Sequence, residues 1–324
     1  MKWLTLGRPG LLTTVQDCGR WGFQDRGVPV CGAMDVYSHR LANRLVGNDP
    51  CEATLEVTLT GPELQFEAET TVAVTGAEFE LRLNGTSVPL NDPIVAPAGS
   101  SLRFGERRRG ARSYVAIAGG LAVPRVLGSR STHQASAMGG FAGRALRAGD
   151  RLPIGEQTTG IGNRESGVDQ VRIPRDSRLP TPDSRRLCLP DGGARLRVLP
   201  GPHVERFETG AVEMLASSRY RISPESDRMG YRLEGTPVIG QKAQELISCA
   251  MPVGGLQIPS TGQPILLMAD HATTGGYPVL GVVISADLPI AGQLAPGDWV
   301  EFELCSLDVA DAALRAQEAM LSGA

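Results

Sequence analysis

Aromatic residues are scarce: 5% of the 324 residues are Phe, Trp or Tyr, while 40 are Gly and 23 are Pro. That balance works against long helices and favours many turns and short strands. Long apolar runs are missing too. No stretch approaches the roughly 18 apolar residues of a transmembrane helix, so no membrane span is expected. The start, Met1-Lys2-Trp3-Leu4-Thr5, has no apolar run behind its positive charge. No signal peptide is therefore expected, and the chain reads as cytoplasmic. A formal net charge of only -3 gives no electrostatic ground for a nucleic-acid partner. The one basic run, Arg107-Arg108-Arg109, reads as the solvated tip of a hairpin.

Metal and nucleophile signatures are absent as well. The six cysteines, Cys18, Cys31, Cys51, Cys188, Cys249 and Cys305, form no CxxC pair, and none lies at zinc-ligand spacing from a histidine. They read as free thiols of a reducing compartment, with Cys31 and Cys249 structural. His39, His133, His203 and His271 are scattered and form no HExxH or HxH pattern, so no metal site is expected. There is no GxSxG elbow and no GxxxxGK[ST] phosphate loop.

What is present is strand pattern. Leu55, Val57 and Leu59 alternate with Glu56 and Thr58, as in a half-buried strand. Phe79, Leu81 and Leu83 alternate with Glu80 and Arg82 and run into the hairpin turn Asn84-Gly85. Residues 114–118, 265–269, 279–284 and 299–304 are further apolar strands. Helices are few: one capped by Asp35, with Tyr37, Leu41 and Leu45 on one face and a stop at Gly47, and one opened by Ser306 near the end. The length suits two domains. Residues 1–155 and 188–324 are expected as two mainly β units, joined by a linker or excursion over 156–187 that lacks periodicity. A weak internal repeat aligns residues 61–66 with 254–259 and residues 98–104 with 296–302. Either two hairpin units are alike by chance, or the chain is a duplication in which each half is a β-barrel-like unit and the cleft between them a natural site.

Several polar clusters could carry chemistry. Around Arg20, Met34 and Asp35, Gly-rich turns leave amide donors free, although plain turn chemistry accounts for them equally well. Gly128-Ser129-Arg130-Ser131-Thr132 puts the Arg130 guanidinium among three hydroxyls, a possible anion clamp. In Ser226-Asp227-Arg228-Met229-Gly230-Tyr231, Asp227 either forms a surface pair with Arg228 or aims it at a substrate carboxylate. The most suggestive stretch, Asp270-His271-Ala272-Thr273-Thr274-Gly275-Gly276-Tyr277-Pro278, emerges from a strand end, a rigid place for a site. Asp270 and His271 suit proton transfer, but strand neighbours face opposite ways.

Taken in order, these motifs resemble the family that holds the C subunit of 5-oxoprolinase and the carboxyltransferase part of urea carboxylase, and that includes proteins labelled allophanate hydrolase subunit 2. The segments that carry the resemblance are Thr14-Val15-Gln16-Asp17-x-Gly19-Arg20, Gly32-Ala33-Met34-Asp35, residues 128–132 and 226–235, Gly255-Leu256-Gln257-Ile258-Pro259 and residues 273–278. The resemblance implies two cyclophilin-like β-barrel units. It implies partner subunits A and B, ATP, and the opening of 5-oxo-L-proline to L-glutamate. The alternatives are a carboxyltransferase component for urea or another small amide, with biotin carried on another chain, and a non-enzymatic antagonist of a kinase-inhibitor-like partner. On motif and chemistry the site is expected at Asp270, Arg228 and Asp227 for catalysis. Tyr231, Gln257, His271, Thr273, Thr274, Gly275, Gly276 and Tyr277 are expected to bind substrate, with Arg130, Arg20, Met34 and Asp35 as second choices. The family usually has Gln where this chain has Ala272, and His271 or Gln257 are the candidates to compensate.

Overall fold

The computed structural model describes residues 2–156, 187–239 and 246–322. Nearly all of the expected linker lies outside the described residues.

The first unit contains β1 (Lys2–Arg8), β2 (Leu12–Gln16), α1 (Val36–Leu45), β3 (Thr54–Thr58), β4 (Glu63–Phe66), β5 (Thr70–Leu83), β6 (Thr86–Ser87), β7 (Ile94–Ala96), β8 (Ser101–Ile117) and β9 (Arg151–Ile154). They form one nine-stranded sheet in the order β2-β3-β8-β4-β1-β9, with β5 on the other edge of β8. The spine is β8, 17 residues long. It pairs with β5 from Val72↔Ile117 to Leu83↔Leu102, and with β3 and β4 on its opposite edge. Asn84 and Gly85 close the β5–β6 hairpin with φ of 49° and 87°, the left-handed backbone that a tight hairpin needs. Arg107–Arg109 is no hairpin tip. The run lies within β8, exposed, opposite a bulged part of β5.

The second unit contains β10 (Gly193–Pro200), α2 (Ala211–Ser217), β11 (Arg219–Ile222), β12 (Gly230–Glu234), β13 (Cys249–Ala250), β14 (Gly255–Gln257), β15 (Ile265–Leu267), β16 (Thr274–Gly275), β17 (Val279–Val283), α3 (Leu288–Gly292), β18 (Trp299–Leu304) and α4 (Leu307–Ser322). Seven of these strands close a barrel, β10-β17-β14-β15-β12-β11-β18, completed by the parallel pair β10/β18. The chain is thus mainly β, with one closed and one half-open barrel. The expected repeat correspondence is not reproduced in the pairing: β4 lies beside β8, whereas β14 lies between β15 and β17 and is not paired with β18. No helix among the described residues is long and apolar enough to cross a membrane.

Each unit has its own core. Leu4, Leu6, Leu64, Phe66, Val115 and Ile117 are sealed in the first, and Tyr220, Leu233, Leu256, Leu266 and Phe302 in the second. A fully buried side chain of this kind contributes about 1.5–3 kcal/mol. Met34 crosses the boundary: it belongs to the first unit by sequence but packs in the core of the second, 3% exposed. Asp35 then caps α1, accepting from the Ser38 amide at 2.8 Å. The helix buries Tyr37 and Leu41, against which Leu321 of α4 packs.

Cys18 and Cys51 form a disulfide, with their Cα atoms 5.1 Å apart and a sequence separation of 33. This corrects the expectation of six free thiols; Cys31, Cys188, Cys249 and Cys305 are free. No spacing rule could have revealed the pair, because α1 and the turn after it bring Cys51 back beside Cys18. Closing a loop of this length stabilises by about 3–4 kcal/mol in the chain-entropy model.

The two units also share Gln293, just past α3. Its Oε1 accepts from the Ala111 and Arg112 amides, both at 3.0 Å. Its Nε2 donates to the Arg112 carbonyl at 2.8 Å and to Asp35 Oδ2 at 2.6 Å. Four buried polar groups of the first unit therefore depend on one side chain of the second. Gln293→Ala removes this partner from all four, although Asp35 Oδ2 keeps the Ser38 hydroxyl at 2.6 Å, and an unpartnered buried group costs about 1–3 kcal/mol. Urea unfolding should show a loss of about 3–5 kcal/mol; a loss below ~1 kcal/mol would mean that the seam does not depend on this residue.

Candidate active site at the seam between the units

The turn before β12 is set by Asp227, whose Oδ1 accepts from the Met229 amide at 2.8 Å. Asp227 is exposed and faces its own turn. The turn drives Arg228 inward, to 6% exposure. Its Nε and Nη2 donate to the two oxygens of Asp270, both at 2.9 Å. Nη2 also donates to the Gly32 carbonyl at 2.6 Å, and Nη1 to Glu56 Oε1. The motifs have Arg228 clamping a substrate carboxylate and Asp270 moving a proton. The structure instead engages the guanidinium with two carboxylates and a carbonyl of this chain, and both oxygens of Asp270 with Arg228.

Glu56 is the residue the alternation of β3 concealed. It reads as the solvent-facing residue of a half-buried strand, yet it is 1% exposed, because the second unit covers that face. Its Oε2 accepts from the Met34 amide at 2.9 Å and from the Tyr114 hydroxyl at 2.8 Å. Tyr114 in turn accepts from the Asp35 amide at 2.8 Å. Arg112 donates to the Tyr231 hydroxyl at 2.9 Å and to the Gly292 carbonyl at 2.6 Å. The network therefore runs unbroken from Asp270 to Gln293 and unites the expected Arg228, Asp270, Tyr231, Met34 and Asp35. Sequence reasoning missed Glu56, Arg112, Tyr114 and Gln293, which sit in strands or turns with no motif of their own.

Electrostatics follow from this closure. Burial works to raise the Glu56 carboxyl, but Arg228 and Arg112, with the two hydrogen bonds, outweigh it and hold the group below its usual range. Burial opposes the Arg228 charge, yet Asp270 and Glu56 prevail and its pKa stands well above normal. Burial, reinforced by Glu56 and Asp35, keeps the Tyr114 phenol protonated. Cys31, at φ 61°, is pushed up to about 12 by burial and then by Asp270, so it is a thiol and not a ready nucleophile.

Beyond Asp270 the chain returns to the surface. His271 lies with Nδ1 2.7 Å from the Met268 carbonyl and Nε2 3.2 Å from that of Met251. Gln257 is 7% exposed and donates to Met251 Sδ at 3.1 Å. Neither side chain is free to stand in for a glutamine at Ala272. Thr273 and Gly275 are half-buried, while Thr274, Gly276 and Tyr277 are exposed on and beside the small β13–β16 strand pair. Gln257 lies directly beneath: a Cβ on Gly275 would stand 2.6 Å from its Nε2. The result is a polar, glycine-thin surface on a fixed floor.

On the first unit, Asp17 Oδ1 accepts from Ser129 Oγ at 2.7 Å and Ser131 Oγ at 2.5 Å, and Oδ2 from the Arg130 amide at 2.5 Å. Burial pushes the carboxyl up, but these donors and the Gly19 amide win and lower it. Arg130 Nη1 donates to Glu52 at 2.5 Å. The expected anion clamp is thus filled by the protein's own Asp17 and Glu52. Arg20, 1% exposed, donates to the Ser131 carbonyl at 2.6 Å. Arg20 and Arg130 stand in this clasp, apart from the β13–β16 pair. No group of three or more His, Cys, Asp or Glu residues that could hold a metal occurs among the described residues.

Residues 26–304 match the family model of the carboxyltransferase domain, subdomain A and B. The chain belongs to this family. It is 39% identical over 307 residues to the C subunit of 5-oxoprolinase from Escherichia coli (strain K12), covering 95% of this chain and 93% of that one. It is 33% identical over 308 residues to urea amidolyase of Saccharomyces cerevisiae, covering 91% of this chain but 16% of that protein. The crystal structure of the K. lactis urea amidolyase superposes with a TM-score of 0.88 at 31% identity, covering 99% of this chain and 20% of the other. The chain spans about a fifth of that yeast protein. These likenesses agree with the two-barrel architecture.

Two measurements check the seam. Arg228→Met leaves Glu56 and Asp270 buried without their cation, and breaking a buried pair in this way costs about 3–5 kcal/mol. Denaturant unfolding should show that loss; a variant of wild-type stability would show that the cluster does not hold the units. The second check is acid. His39 on α1 is fully buried, its Nδ1 2.9 Å from Thr54 Oγ1, and burial lowers its pKa from 6.5 to about 4. Between those values the unfolded chain binds the extra proton, so His39 withdraws stability as pH falls from 6.5 to 4. Asp35 acts oppositely. Burial, partly offset by Gln293 and Ser38, raises it from 3.8 to about 6, so it adds stability as pH falls through that window. His39→Gln removes only the first effect. The stability of the variant relative to wild type should therefore rise by about 3 kcal/mol between pH 6.5 and 4; parallel curves would refute a neutral, buried His39.

Proposed function

We propose that this chain is the C subunit of an ATP-dependent 5-oxoprolinase, acting with subunits A and B to open 5-oxo-L-proline to L-glutamate. The observation that carries the reading is the end-to-end match to the C subunit of 5-oxoprolinase, 95% of one chain against 93% of the other. Against urea amidolyase the same chain is a 16% piece. We assign substrate contact to Thr273, Thr274, Gly275, Gly276 and Tyr277, with His271 and Gln257 as their floor. A small lactam offers one carbonyl, one N–H and one carboxylate, which suits hydroxyls and backbone amides on a rigid support. Arg228, Asp270, Tyr231, Met34 and Asp35 position that floor.

Amide resonance makes the lactam carbonyl a poor electrophile, and ATP supplies its activation. The residues here do not fit a nucleotide phosphate well. The chain lacks GxxxxGK[ST], and its Ser129-Arg130-Ser131 loop already holds Asp17 and Glu52. We therefore assign ATP to the partner subunits, and the complex to the cytoplasm.

A second reading is favoured by the 0.88 superposition on urea amidolyase: a carboxyltransferase component acting on urea or another small amide. The chain has no Ala-Met-Lys-Met sequence, so its biotin would be carried by another chain.

The test is to co-purify the chain with subunits A and B and to follow glutamate and ADP after adding 5-oxo-L-proline and ATP. Glutamate should form only when this chain is present. Thr274→Ala and Tyr277→Phe should raise KM about tenfold, the effect of one or two lost hydrogen bonds, with the melting temperature unchanged. No turnover from a folded complex sinks the reading, and carboxylation of urea by carboxybiotin in the same sample would put the second in its place.

A further inference from the structure

The Cys18–Cys51 disulfide joins two segments that each carry one of the carboxylates holding the Arg130 loop. Asp17, next to Cys18, takes Ser129, Ser131 and the Arg130 amide. Glu52, next to Cys51, takes the Arg130 guanidinium. The cross-link therefore adds a covalent tie, beyond the β2–β3 ladder that ends at Gln16↔Thr54, between the two segments whose carboxylates grip one loop. The other four cysteines are unpaired, so this bond is not one of a set that staples the fold. It is also reachable. Cys51 is exposed and Cys18 half-buried, and both line a surface recess of about 300 Å³ together with Asp17, Gly19, Glu52 and Gly128. The Asp49–Glu52 turn is also tied to α1, through Asn43 Nδ2 to the Glu52 carbonyl at 2.7 Å.

We propose that Cys18 and Cys51 form a reversible thiol–disulfide switch that sets the rigidity of the 128–132 loop. A small dithiol is the chemical partner. Its thiolate attacks the exposed Cys51 Sγ, giving a mixed disulfide and releasing Cys18 as a thiolate that takes a proton from solvent. The second thiol of the reductant then displaces Cys51 and closes the reductant's own disulfide. Two electrons and two protons have passed to the protein, and the Asp17 and Glu52 segments keep the β2–β3 ladder but lose the covalent tie beyond its end. The switch is independent of the substrate assignment, since its readout is motion of the loop.

The experiment uses the full chain. After oxidation with oxidised glutathione, peptide mapping should find Cys18 and Cys51 joined to each other, and alkylation under denaturing conditions should label all six cysteines after dithiothreitol. Hydrogen exchange of the Ser129–Ser131 amides should then speed up by about tenfold or more on reduction, while the barrel strands of the second unit stay protected. The Cys18→Ser, Cys51→Ser double variant should exchange like the reduced protein with or without dithiothreitol. Three results overturn the switch: Cys18 and Cys51 not joined to each other after oxidation, unchanged exchange at residues 129–131 on reduction, or global loss of protection on reduction. The last would make the disulfide a staple of the fold.

Discussion

Arg228 reaches from the second unit into the first, where Glu56 and the Gly32 carbonyl receive it while Asp270 holds it from behind. A cation so enclosed is unfavourable unless every neighbour is in place, since moving a charged group out of water costs several kcal/mol before any pairing. Glu56 is in the same position: it is buried only because Arg228, Tyr114 and the Met34 amide meet it. Each unit thus exposes a misplaced charge when it stands alone. Docking in one register satisfies both. A hydrophobic seam would tolerate sliding; this one does not, because a shift of an ångström or two breaks hydrogen bonds to charged groups worth about 1.5–3 kcal/mol each.

The register then decides where the surface polar groups stand. Asp270 and His271 are consecutive, and they part company as neighbours in an extended chain do. Asp270 turns inward to Arg228, while His271 turns toward the β13–β16 pair and spans the carbonyls of Met268 and Met251. Whatever fixes Asp270 therefore fixes the root of that segment. On the proposed assignment this makes Arg228 a positioning residue, although its guanidinium is spent on the protein's own groups.

Much of this is legible in sequence. The alternation in β5, the Asn84-Gly85 turn, the Asp35 cap and the two-unit β architecture follow from local rules, and the structure has each of them. Motif order marks the segments that converge on the seam. What local rules do not show is which polar residues are sealed. Glu56 alternates with apolar neighbours just as a solvent-facing residue does, Arg112 stands between Ala111 and Ser113 with no pattern to mark it, and only the second unit's covering surface makes them interior. The same reasoning explains the Arg130 loop. A guanidinium among hydroxyls signals an anion, but sequence cannot say that the anion is Asp17, 113 residues away. The disulfide escapes for a similar reason, since Cys18 and Cys51 meet only after α1 has folded back.

The 270–277 segment shows how specificity could change in this family without touching the fold. Ala272 is exposed, and the resemblance places a glutamine there. His271 has both ring nitrogens against main-chain carbonyls, and Gln257 is occupied with Met251 beneath Gly275. Neither can swing out to replace an amide side chain without unmaking a buried contact. The chain therefore presents one fewer donor and acceptor beside Thr273, with the same floor below. If this rim holds the substrate, as proposed, a substitution that removes polar reach from it alters which small amides are held, because a hydrogen bond lost to a substrate group is felt in binding. It leaves the seam unaffected, because the Arg228 cluster is built from other residues and lies on the inward side of Asp270. On the proposed assignment of substrate contact, rigidity and selectivity are thus carried by different residues, the first by charges sealed between the units and the second by a few exposed positions on one short segment.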